Sequence, residues 1–211
     1  DGRVTVGELL GTIDNTAHLD RHVGAREHFH PVSLHPRRAA ALVHLARAPA
    51  GSRVYDPFCG TGGILLEAAL EGYECWGSDL DDFMVQGTNQ TLTDVPPEPM
   101  AAHVFVADIG DVPNLVPQMD AIITDMPYGK ASTTGGEGLA SLYERAFRVF
   151  VQVLRPGARA VVGLPDPALL ELAKTAGLTL LEHHEERVHR SLVRHWVVLE
   201  RAKAVGADIG S

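Results

Sequence analysis

RVYDPFCGTGGILLEAALEG, residues 53–72, decides how this chain folds. RVYDPF is rich in aromatic and β-branched side chains and reads as a strand, while GGILLEAALEG reads as a helix that stops at Gly72. The turn between them is DPFCGTGG, residues 56–63. Gly60 and Gly62 let the backbone approach a ligand closely, and the helix N-terminus beyond them favours negative charge. A dinucleotide-binding GxGxxG pattern needs glycine at position 65, where the residue is Leu65.

Outward from this unit the same alternation repeats. YECWGSD reads as a second strand and DDFMVQGTNQTL as a helix, followed by the strands HVFVAD and MDAIITD. GLASLYERAFRVFVQVLRPG is the clearest helix, with Leu139, Leu142, Ala146, Val149, Phe150 and Val153 on one face and Pro156-Gly157 as its stop. ARAVVGLP is a fifth strand and DPALLELAKTAG a helix; LTLLEHHEERV and SLVRHWVVLE are two strands joined by a short basic turn. Alternation of this kind implies an α/β fold with a doubly wound, mostly parallel seven-stranded sheet and right-handed crossovers. The last connection is too short for a parallel crossover, so the closing pair is a hairpin and supplies one antiparallel strand. Residues 1–30 do not share this rhythm. They read as a linker or the end of an upstream region, with residues 31–203 as the catalytic domain and 204–211 as a tail.

Ligands of open α/β sheets bind outside the carboxyl ends of the strands. Asp56, Asp79, Asp108 and Asp125 each stand at or beside such an end. One of them alone would be a helix cap; four together, with a glycine turn after the first, point to a ligand. Asp56 suits a ligand with an ammonium group, such as the zwitterionic end of S-adenosylmethionine. Asp79 suits ribose hydroxyls, and Asp108 an adenine amino group. Cys59 lacks an activating partner and is explained by the turn. At the fourth strand end stands TDMPYGK, residues 124–130. An amino group on an aromatic base is a poor nucleophile because its lone pair is delocalised into the ring. Two hydrogen-bond acceptors and one fixed orientation help that lone pair reach a methyl group held in line. The Asp125 carboxylate and the carbonyl of residue 126 can serve as acceptors, and Tyr128 can stack on a planar base.

Composition fits this reading. The chain has 211 residues, 45% of them hydrophobic and 21% charged, enough for one domain with a substantial core. No apolar run approaches the roughly 20 residues of a membrane span. Cys59 and Cys75 form no metal-type pair, and the protein reads as reduced and cytoplasmic. The net charge of −9, from 18 basic and 27 acidic residues, argues against a general nucleic-acid coat. It leaves room for a local basic patch.

DPFCGTGG, SDLD, VADI and DMPYG, in this order and spacing, resemble class I S-adenosylmethionine-dependent amino-methyltransferases, a Rossmann-like fold. The lead-in REHFHPVSLHPRRAAALVHLARAPAG is similar to that of archaeal tRNA guanine-N2 methyltransferases acting on guanosine at position ten, which join the catalytic half to an N-terminal THUMP RNA-binding half. The resemblance implies that Gly60, Thr61 and Gly62 pass close to the methionine part of the cofactor, with Cys59 in the same turn. It implies that Asp79 holds the ribose, that Asp108 holds the adenine amino group, and that Leu80 and Ile109 flank the ring. Phe29 and Pro31 would close the methionine side, and Asp125, Met126, Pro127 and Tyr128 would receive the guanine. The departure is Met126, where the family usually has proline. Pro127 still steers Met126 towards extended geometry, but Asp125 loses the same constraint, and Met126 is expected to add a flexible side chain near the pocket. The expectation is weaker preorganisation with the chemistry retained.

Arg187, His189, Arg190, Arg194 and His195 cluster on the closing hairpin. Arg187, Arg190 and Arg194 are expected to meet tRNA phosphate; the alternative is a solvated turn paired to Glu185 and Glu186. Lys130 sits in a loop that can close over the base. His18, His22, His28, His30, His35 and His44 crowd the N-terminal part without acidic or cysteine partners at matching spacing, so no metal is expected. The leading reading is a monomeric tRNA guanine-N2 methyltransferase. The alternatives are an N6-adenine or N4-cytosine methyltransferase, since Asp-x-Pro-Tyr serves any planar amino group, and a tRNA-binding domain impaired through Met126.

Overall fold

The computed structural model describes residues 34–93, 101–129, 138–189 and 192–203. Phe29, Pro31, Lys130 and Arg190 lie outside them.

Seven strands form one sheet in the order β3-β2-β1-β4-β5-β7-β6: β1 (Arg53–Asp56), β2 (Glu74–Asp79), β3 (Ala102–Val106), β4 (Met119–Asp125), β5 (Leu154–Leu164), β6 (Leu178–His189) and β7 (Leu192–Arg201). All neighbours run parallel except at β7, which lies antiparallel between β5 and β6. The expected antiparallel strand is therefore β7, and β6 runs with the rest. Strand order reverses between β1 and β4, which opens a crevice at their carboxyl ends.

Helices cover both faces. On one lie α1 (Pro36–Ala46), α2 (Gly63–Leu70) and α3 (Asp82–Thr93); on the other lie α4 (Leu139–Val153) and α5 (Leu170–Ala176). Period-two alternation divides the strands between two cores: Ile122, Val162 and Val197 face α4, while Ile123, Val161 and Val198 face α1. In β3–β4 the crossover is a 3-10 turn, Val112–Asn114.

Helix α1 falls within the lead-in that the strand–helix rhythm left unassigned. Its apolar side is nevertheless written at helical spacing, with Ala39, Leu42, Val43 and Ala46 buried. Pro36 stands in its first turn, and the His35 ring nitrogen accepts from Arg37 N–H at 3.2 Å. Two ion pairs tie this helix to β6: Arg38–Glu186 at 2.5 Å and Arg47–Glu182 at 2.9 Å.

Gly163 in β5 sets the spacing beneath the crevice. It pairs with Asp125 on one side and Trp196 on the other. A Cβ there would collide with the Asp125 carboxylate and approach Trp196 Cζ3 to 2.6 Å. Gly163→Ala is therefore expected to destabilise the fold by about 1–3 kcal/mol through overpacking. A urea titration that leaves the midpoint unchanged would contradict this spacing role.

Candidate active site

The glycine turn is fixed from below by α3. Gly60 and Gly62 take φ of 53° and 80°, left-handed values that disfavour any side chain. A Cβ on Gly62 would also come within 2.9 Å of Thr88 Cγ2. The Thr88 hydroxyl donates to Gly60 O at 2.7 Å, and the Thr91 hydroxyl, one turn along α3, donates to Thr61 O at 3.1 Å. Thr61 is itself buried. The Cys59 side chain is buried in the α1-side core, and burial pushes its thiol well above the ordinary value, so it is no ready nucleophile.

Asp56 closes β1 and is only 1% exposed. Burial raises its carboxyl from 3.8 to about 7, with the Asp79 and Asp125 charges adding to the effect. Against this stand Thr124 nearby and the Phe58 N–H donated to Asp56 Oδ1 at 3.2 Å. The Thr124 hydroxyl closes no hydrogen bond of normal geometry among the described residues.

Asp79 is half-buried, and burial raises its carboxyl as well. One oxygen accepts Gly60 N–H at 3.0 Å and the other Asp81 N–H at 3.1 Å. Each oxygen keeps a lone pair for a diol. Asp108 is differently engaged. Arg145 of α4 grips it in a fork, Nη1–Oδ1 at 2.6 Å and Nη2–Oδ2 at 3.1 Å, and Gly110 N–H donates at 2.8 Å. The Arg145 hydrogen bonds hold this carboxyl below its usual range. Leu80 beside Asp79 is 48% exposed, whereas Ile109 is packed in the α4-side core at 4%. Leu80 thus offers an open face and Ile109 a buried one.

At the end of β4, Asp125 is raised chiefly by burial, a shift opposed by Arg194 and by its bond to Tyr128. The Tyr128 hydroxyl donates to Asp125 Oδ1 at 2.5 Å, and Arg194 Nη2 stands 3.7 Å from Oδ2. The Arg194 guanidinium also lies 5.2 Å from the centre of the Tyr128 ring and 5.7 Å from that of Trp196. Arg194, expected on a basic turn towards phosphate, thus has a side chain only 14% exposed and packs in the crevice; Arg187 is exposed. The reason is period two: Arg194 and Trp196 share the face of β7 turned towards Asp125 and α1.

Met126 also differs from expectation. Its side chain is fully buried and belongs to the α4-side core, not to the pocket. Alternation along β4 continues one residue past the strand, so neighbours Asp125 and Met126 point to opposite sides. Pro127 is held by Tyr143 of α4, whose hydroxyl donates to the Pro127 carbonyl at 3.1 Å.

Residues 23–195 match the RMKL-like methyltransferase domain family, UPF0020. The chain belongs to this family. It is 37% identical over 181 residues to a tRNA (guanine(10)-N2)-dimethyltransferase of Methanothermobacter thermautotrophicus, covering 83% of this chain and 52% of that protein. It is 34% identical over 186 residues to the enzyme of the same name from Pyrococcus abyssi, covering 86% of this chain and 54% of that one. The crystal structure of TrmN from Thermus thermophilus matches with a TM-score of 0.71 at 31% identity, covering 81% of this chain and 50% of that one. The chain therefore spans about half the length of these three relatives. Among the described residues of this methyltransferase domain, no helix is long and apolar enough to cross a membrane.

The crevice of the methyltransferase domain fits a cationic, amino-acid-bearing cofactor on its own evidence. Asp56, Asp79 and Asp125 are all carboxylates raised by burial, which a positive ligand relieves. Without such a ligand, Asp56 carries a signed pH dependence. Its folded pKa lies above 3.8, so the folded chain holds the extra proton and stability falls as pH rises from about 4 to 7. Asp56→Asn should then gain roughly 1–3 kcal/mol more, relative to the natural chain, at pH 8 than at pH 5. Urea unfolding at both pH values checks this; a gain independent of pH contradicts the charged burial of Asp56.

Breaking the Arg194 contact should loosen Asp125 without touching the glycine turn. Arg194→Gln is expected to slow methyl transfer by about 10–100-fold while cofactor affinity stays within about twofold. Single-turnover rates beside equilibrium cofactor binding separate the two effects.

Proposed function

We propose that this chain is the catalytic part, residues 31–203, of an S-adenosylmethionine-dependent enzyme that methylates the exocyclic N2 amine of a guanine in tRNA, at position ten. It would work as a cytoplasmic monomer with an upstream THUMP-type RNA-binding domain joined through residues 1–30. Half-buried Asp125, at the carboxyl end of β4 next to β1, carries this reading, and the names borne by the relatives supply the nucleotide. The cofactor contributes a methyl group on positively charged sulfur.

In this reading Gly60, Thr61 and Gly62, with Cys59 through its backbone, line the methionine part, and Asp56 balances its ammonium group. Asp79 takes the ribose. Asp108, oriented by Arg145, takes the adenine amino group beside Leu80 and Ile109, and Phe29 and Pro31 close the pocket. Asp125 accepts a hydrogen bond from the guanine amine, the carbonyl of Met126 accepts the other, and Asp125 is placed to take the proton that nitrogen loses. Tyr128 stacks on the base with Arg194 against its other face, and Pro127 keeps the loop extended. Lys130, Arg187 and Arg190 remain as contacts to RNA phosphate. The burial of Met126 argues against an impaired site, because its side chain stays out of the crevice.

Methyl transfer to unmodified tRNA by the chain joined to its upstream domain, with digestion to nucleosides and mapping, tests the reading. N2-methylguanosine or N2,N2-dimethylguanosine at position ten is expected. N6-methyladenosine or N4-methylcytidine would replace the substrate assignment. No transfer, with no rescue by Met126→Pro, would favour a binding domain without activity.

A further inference from the structure

On the α4–α5 side of the closing hairpin, pairing in β6 and β7 gathers three donors that are scattered in the sequence. His183 and Glu185 are alternate residues of β6, and His195 lies directly opposite Glu185 on β7. His183 Nε2 is 3.0 Å from His195 Nδ1, and His195 Nδ1 is 3.8 Å from Glu185 Oε1. All three donor atoms lie within 4.8 Å of one another. We propose that His183, Glu185 and His195 bind one divalent transition-metal ion of the zinc class, which clamps the two strands of the hairpin.

The donor set and spacing both favour this. Two imidazoles and one carboxylate suit zinc, cobalt or nickel better than magnesium or calcium, which prefer oxygen. Bonds of about 2.0–2.1 Å in a tetrahedron put neighbouring donors about 3.3 Å apart. The observed 3.0 and 3.8 Å straddle that edge, so small rotations of two exposed side chains complete the geometry. Water fills the fourth position. Binding needs the tautomers that carry hydrogen on His183 Nδ1 and His195 Nε2, leaving both facing nitrogens as lone pairs.

Buried His195 anchors the group, while His183 and Glu185 are exposed and free to adjust. Register shifts at Leu180/Glu182 and at Arg187/His189 bound the segment, so an ion here would fix pairing where the ladder is irregular at both ends. The residue before His195 is Arg194, which meets Asp125 on the opposite face. Occupancy would thus stiffen the strand that carries the crevice arginine, without the ion touching substrate.

Chelator-stripped full chain, titrated with Co²⁺ and then Zn²⁺, is compared with a His183→Ala/Glu185→Gln variant. Both substitutions are at exposed positions outside the proposed catalytic machinery, and histidines elsewhere bind equally in the two proteins and cancel. The natural chain should take up one more ion per chain, show the visible bands of tetrahedral cobalt, and melt at a higher temperature with Zn²⁺. Equal uptake, or equal melting shifts, would overturn the proposal. Should the double variant unfold, His183→Asn alone is read by the same two measurements.

Discussion

The whole site turns on the burial of Asp56. Removing a carboxyl from water is costly unless it is paired or neutral, and at 1% exposure this one has, among the described residues, a single backbone N–H of normal geometry, from Phe58. Neighbouring carboxylates increase the cost, because Asp79 and Asp125 converge on the same crevice. The sheet permits the arrangement because strand order reverses between β1 and β4, leaving space that no side chain must fill. The turn above Asp56 keeps its shape through Thr88 and Thr91, which occupy the carbonyls of Gly60 and Thr61. A ligand that is positive at one end and rich in hydroxyls in the middle relieves the electrostatic cost in the sequence of groups that β1, β2 and β3 present.

How much of this was written in the sequence depends on how far each determinant reaches along the chain. The strand–helix alternation and the acidic residues at four strand ends are local signals, and they placed the fold and the crevice. Helix α1 is legible too, since Ala39, Leu42, Val43 and Ala46 keep one face, but it precedes the strand–helix rhythm and so stands outside the pattern that announces the fold. The residues that shape the site from a distance left no local mark. Arg145 grips Asp108 from 37 positions away, Tyr143 holds Pro127 from 16, and Gly163 matters because two strands flank it. The His183, Glu185 and His195 group exists only through the register of β6 against β7, so counting along the chain cannot find it.

Met126 shows why a motif must be read as geometry. The position looks like a pocket residue because its neighbours Asp125 and Tyr128 are pocket residues. Alternation assigns its side chain to the opposite core, where an unbranched, adaptable thioether fills space well. What proline would supply there is rigidity of the preceding residue. In this chain Asp125 is held by the Tyr128 hydroxyl within the motif and by Arg194 from outside it, while Tyr143 fixes the loop beyond. These side-chain contacts constrain Asp125 and its loop although no proline follows Asp125.

The same contacts bear on selectivity. Hydrogen bonds to charged groups are worth about 1.5–3 kcal/mol, and Asp125 already has such a bond from Tyr128 and an ion pair with Arg194. On the proposed reading, a base entering this site competes with them for the carboxylate. A free nucleoside offers little beyond its own hydrogen bonds and stacking to win that competition. A folded RNA offers contacts far from the reacting nitrogen, and binding energy from remote contacts can drive reorganisation at a reacting centre. The chain carries a net charge of −9, so on the proposed reading most of those remote contacts come from basic residues beyond it. On the proposed tRNA reading, the engaged state of Asp125 and the acidity of the chain lead to the same requirement: methyl transfer would depend on RNA being held from elsewhere before the base is offered.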